Sequence, residues 1–111
     1  MLVAVLFAGC ATAPTPVADG PCADAYDGVV ASLEQMFRQS GTPLPVWPDR
    51  AEYVRQCEAL ALSPEQLHCL DPAAVSADPA GCRDATRPVQ AEVDRLAKWF
   101  GDHTKRVGEQ R

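Results

Sequence analysis

Residues 22–39 read CADAYDGVVASLEQMFRQ. Apolar groups stand at Cys22, Tyr26, Val29, Val30, Leu33, Met36 and Phe37, at steps of four, three, one, three, three and one. This spacing follows one face of a period of about 3.6 residues and predicts an amphipathic helix. Asp24 and Asp27 lie near its start, where the helix dipole favours acids. Gly28 weakens it by up to about 1 kcal/mol relative to Ala. Ser40-Gly41-Thr42-Pro43 ends it.

The chain beyond repeats the helical pattern in shorter pieces. Residues 44–48 read LPVWP. Proline at 43, 45 and 48 forbids a regular helix or a central strand there. The segment is expected to cross the helices in extended form, with Trp47 plugging the core. Asp49-Arg50-Ala51-Glu52 has the form of an N-cap with Glu at N3. The helix it opens runs to about Leu62, with Tyr53, Val54, Cys57, Leu60 and Ala61 on its apolar face. Ser63-Pro64-Glu65-Gln66 is a second capping device, with Pro at N1, and predicts a short helix through Leu67, Cys69 and Leu70. Asp71-Pro72 and Asp78-Pro79 punctuate the following stretch, and residues 73–82 are read as single turns. The last helix is expected from Thr86 or Arg87, with Pro88 at its first position. Val89, Val93, Leu96, Phe100, His103 and Val107 recur along it at steps of four, three, four, three and four. Asp94–Lys98 and Asp102–Arg106 are acid-before-base pairs with i,i+4 spacing. The body is therefore expected to be all-α, a small disulfide-stapled bundle of about four short helices.

Composition narrows the function. Hydrophobic residues make up 47% of the 111, but aromatics only 6%. A core of that kind in a chain this short needs covalent help. The net charge of −5 argues against a general nucleic-acid binder. Residues 10–82 carry three Arg against ten Asp and Glu, or −7, and residues 83–111 carry seven basic against five acidic groups, or +2. No G-x-S-x-G, H-E-x-x-H, P-loop or G-x-G-x-x-G pattern occurs. Of the two histidines, His68 abuts Cys69, and His103 is read as a packed or dipole-satisfying residue near a helix C-terminus. No enzyme activity, cofactor or metal is expected.

The five cysteines are Cys10, Cys22, Cys57, Cys69 and Cys82. The gaps between the last four suit no zinc motif, and no Cys-x-x-Cys redox pair occurs. Four of them form two disulfides in an oxidising compartment, which leaves Cys10 over. Four cysteines allow three connectivities. Cys57 and Cys69 flank Ser63 at six residues on each side. A hairpin turning there favours Cys57–Cys69, and with it Cys22–Cys82.

Cys10 finds its explanation at the N-terminus. Met1 to Gly9 reads MLVAVLFAG, apolar without a break from Leu2 to Ala8. The run is too short to span a bilayer and has the length of a signal-peptide core. It leads into Phe7-Ala8-Gly9-Cys10, which resembles a lipobox, the site where bacterial lipoprotein precursors are acylated on Cys and cut before it. The resemblance covers the first ten residues. Phe7 stands where that family usually has Leu, Val or Ile, with Leu6 one place earlier. No basic residue precedes the run, which points to a start upstream of Met1. The competing reading is a buried N-terminal strand. Residues 11–21 read ATAPTPVADGP, a stretch suited to a solvated tether.

The resemblance implies a signal segment at 1–9, a lipid-anchored tether at 10–21 and a helical four-cysteine domain at 22–111. Cys10 would hold a thioether-linked diacylglycerol in the bacterial cell envelope. Ala11 is not the Asp that retains some lipoproteins at the inner membrane, so the outer membrane is the expected site. The mature domain is also loosely similar to small exported helical domains with two disulfides, a likeness that brings no activity. The expected function is that of a non-enzymatic accessory or protein-binding module. An envelope protein would be its partner, and Trp99, Phe100 and Arg106 its candidate contact surface. The alternative is a secreted inhibitor without a lipid.

Overall fold

A computed structural model describes residues 19–106. The described residues form α1 (Pro21–Ser40), α2 (Arg50–Ala59), α3 (Pro64–His68), α4 (Pro72–Ala77), α5 (Pro79–Thr86) and α6 (Gln90–Asp102), with a 3-10 turn at Arg87–Val89 before α6. The signal segment and most of the tether, Cys10 included, lie outside the described residues, as do residues 107–111.

Local chemistry accounts for most helix ends. Proline opens α1, α3, α4 and α5, where its missing N–H costs nothing. The Asp49 carboxylate accepts the Glu52 N–H at 2.8 Å to cap α2. Ser63 and Gln66 form the reciprocal capping box of α3 at 3.2 and 3.0 Å. Asp71 and Asp78 accept backbone N–H groups of Ala73 and Gly81 to cap α4 and α5. Gly41 ends α1 with φ 73°, a left-handed conformation that favours glycine. Its N–H reaches Arg38 O while that of Thr42 reaches Phe37 O, so two orphan carbonyls are satisfied. The segment read as single turns thus closes into α4 and the start of α5, because each Asp-Pro pair is a cap followed by N1. The last helix starts later than expected, at Gln90, and ends at Asp102 rather than running through Val107. Thr104 Oγ1 donates to Phe100 O at 2.8 Å, and Nδ1 of His103 lies 2.9 Å from Trp99 O, so the final carbonyls are met by side chains.

The main core joins α1, α2 and α6. Cys22, Ala23, Ala25, Tyr26, Tyr53, Val54, Cys57, Leu96 and Phe100 are its buried members, and Val29, Trp47, Leu67 and Leu70 are among those packed on it. The scarce aromatics are concentrated there. Phe100 meets Tyr26, Tyr53 and Trp47 at ring distances of 6.0, 6.1 and 6.2 Å. Such pairs add about 0.5–1.5 kcal/mol each beyond the area they bury. The Pro-rich segment crosses these helices as expected. Tyr26 Oη donates to Pro48 O at 2.6 Å, and the Trp47 indole N–H to Glu34 at 3.1 Å. Val46 and Lys105 exchange backbone hydrogen bonds of 2.8 and 3.0 Å in an isolated antiparallel bridge. The segment after α6 is thereby tied to the crossing.

The disulfides are Cys22–Cys57 and Cys69–Cys82, with Cα separations of 5.8 and 5.3 Å. The expected Cys57–Cys69 and Cys22–Cys82 pairing is corrected. A symmetric hairpin about Ser63 does not form, because α2 stops at Ala59 and the chain turns through Ala61 at φ 54°. Cys57 faces α1 in the core and is fully buried. Cys69 caps the C-terminus of α3 and meets α5 instead.

Candidate functional site

The residues singled out in the sequence do not converge. Phe100 is 7% exposed and belongs to the core, so it offers no contact surface. Trp99 is half-buried one position earlier, at the rim of a groove between α2 and α6. Arg106 is exposed at the other side, against Phe37, Pro43 and Pro45. Neighbours in a helix point about 100° apart, which is why Phe100 enters the core and Trp99 stays at its edge.

The α2–α6 groove combines an apolar floor with charged residues at its border. Gln56, Glu92, Arg95 and Asp102 border it beside Leu60 and Trp99. His103 stacks on Trp99 with ring centroids 4.8 Å apart and an interplanar angle of 26°. Its ring nitrogen also meets the Trp99 carbonyl, which fits the dipole-satisfying role read from the sequence. Lys98 pairs with Asp102 at 2.8 Å, and Asp94 accepts from the Gln90 amide at 2.8 Å. Lys98, expected to pair with Asp94, thus pairs with Asp102 in the base-before-acid order, and Asp94 is met by Gln90 instead. Asp27 accepts two bonds from Arg50, at 2.9 and 3.0 Å, joining α1 to the start of α2. That guanidinium holds the Asp27 carboxyl below the usual carboxylate range.

A second feature escaped the sequence reading. An apolar cavity of about 200 Å³ opens between α1, α2, α6 and the end of α3. Val29, Tyr53, Leu70, Val93, Leu96 and Phe100 line it, with Cys69 at its edge. Burial pushes the Tyr53 phenol up to about 12. Four separate elements contribute to the wall, so no local motif announces it.

Among the described residues, no group of three His, Cys, Asp or Glu side chains is placed to hold a metal ion. No described helix is long and apolar enough to cross a membrane. No family model, curated protein or solved structure matches this chain.

Proposed function

We propose that the protein is a lipid-anchored accessory protein of the bacterial cell envelope, acting by binding another protein rather than by catalysis. One observation does most to support the reading. The four body cysteines are consumed in two disulfides, so the remaining Cys10 has no partner within the domain. That cysteine is the one that follows the apolar run and Ala8-Gly9. The disulfides favour an oxidising compartment, where such an anchor would place the domain. Ala11 favours the outer membrane by resemblance. Of the expected contact surface, Trp99, at the rim of the α2–α6 groove, and the exposed Arg106 are accessible.

Labelled palmitate tests this directly. Bacterial cells expressing the protein from its native gene should yield a labelled band in the membrane fraction. Cys10→Ala should remove the label and block processing before residue 10. A wild-type chain that stays soluble and unlabelled would overturn the anchor.

A further inference from the structure

We propose that the apolar cavity between α1, α2 and α6 is a binding site for a neutral, single-ring aromatic compound bearing one hydrogen-bond acceptor. The site is independent of the lipid anchor.

Size sets the first limit. Apolar cavities of about 150 Å³ accept benzene. The cavity here, about 200 Å³, has room for such a ring and a short substituent. Charge sets the second. Val29, Leu70, Val93, Leu96 and Phe100 present no ionic partner, and the remaining wall adds none. An ionised ligand would lose its hydration without compensation. The rings of Tyr53 and Phe100 offer faces and edges to an aromatic guest.

The third limit is a spare donor. The two tyrosines of the core pack ring to ring at 5.5 Å yet differ in their hydroxyls. That of Tyr26 donates to Pro48 O. That of Tyr53 makes no hydrogen bond to any described residue, although the side chain is only 4% exposed. Among the described residues, no side-chain N or O sealed from solvent lacks a partner. The Tyr53 hydroxyl is therefore not sealed off, and Tyr53 forms part of the cavity wall. A phenol is protonated at physiological pH, so this hydroxyl is a donor open to an acceptor. An aryl carbonyl would supply that acceptor and bury its ring behind it.

Acetophenone and ethylbenzene are probes of nearly equal shape, and only the first has an acceptor. Each would be titrated into the oxidised full-length chain, with methyl resonances followed by NMR. Saturable shifts centred on Val29, Leu70, Val93 and Leu96 are expected for both. Tyr53→Phe should weaken acetophenone by about 3- to 10-fold and leave ethylbenzene unchanged, as the loss of one hydrogen bond requires. Val93→Trp, at a partly exposed position on α6, should fill the cavity and abolish both. No saturable shift for either probe in the wild-type chain would overturn the site. Equal weakening of both probes by Tyr53→Phe, or shifts that survive Val93→Trp, would overturn the assignment as well.

Discussion

The half of the domain built from α1, α2 and α6 and the half built from α3, α4 and α5 each contain one disulfide, but they are held by different means. The first half has helices of 20, 10 and 13 residues. It buries Tyr26, Tyr53, Val54, Leu96 and Phe100 in one cluster. The second has helices of five, six and eight residues. Its buried residues are Ala74, Cys82 and Thr86, and Val75 is 40% exposed. There the order comes from caps, proline at N1, the Gln66–Ala85 hydrogen bond of 3.1 Å and the Cys69–Cys82 bridge. Helices this short have too few internal bonds to persist unaided. Apolar burial organises one half, while backbone capping and a covalent tie organise the other.

Removing each staple is the strongest way to break that contrast. Cys22→Ala with Cys57→Ala should cost about 4 kcal/mol, since the bridge closes the longer loop. The sequence separation is 35 residues against 13 for the other bridge. Urea denaturation should show one cooperative transition at a lower midpoint. Cys69→Ala with Cys82→Ala should cost about 3 kcal/mol at most. Its signature should be local. Amide exchange should rise first in α4 and α5, while the amides of α1 and α6 stay protected. Uniform loss of protection would mean that the two halves are one cooperative unit.

High pH probes the burial-driven half alone. The folded Tyr53 pKa is raised to about 12. Its contribution is fully present below pH 10, where the unfolded phenol is also neutral, and is lost as pH rises through the folded value. Absorbance at 295 nm should show little tyrosinate in the native protein at pH 10. Stability should fall by about 2–3 kcal/mol toward pH 12. Tyrosinate forming near pH 10 in the folded protein would contradict the buried environment.

Gly28 tests the seam between the halves. Helix propensity alone says that Gly28→Ala stabilises α1 by up to about 1 kcal/mol. A Cβ there would lie 2.5 Å from Asp71 Oδ1, on the carboxylate that caps α4. The substitution should instead destabilise by about 1 kcal/mol. Val75→Ser, on the exposed face of α4, should change stability by less than about 0.5 kcal/mol. Thermal melts of the two variants separate a close approach from a solvated surface.

The contrast also explains what the sequence made legible. The periodicity of residues 22–39 marks α1 because one apolar face meets one core. Asp49 and Ser63 announce their helices because capping is a local interaction. Asp71-Pro72 and Asp78-Pro79 hold the same signal as Ser63-Pro64, a cap followed by proline at N1. Read as breakers, they concealed α4 and most of α5. The disulfide pairing was not legible, because it depends on where α2 stops and how the chain turns at Ala61. The cavity was hidden for a related reason: Val29, Tyr53, Leu70 and Leu96 are distant in sequence and meet only after packing.

The pairing of the four body cysteines tests the two-half account most directly. Trypsin alone does not resolve it, since Cys57, Cys69 and Cys82 share one fragment from Gln56 to Arg83. Digestion with trypsin and a Glu-specific protease without reduction separates them, because Glu58 and Glu65 lie between Cys57 and Cys69. The account predicts a Cys22 fragment joined to the Cys57 fragment alone, with Cys69 and Cys82 bridged inside the fragment from Gln66 to Arg83. A three-fragment species joining Cys22 and Cys57 through the Gln66–Arg83 fragment would contradict it.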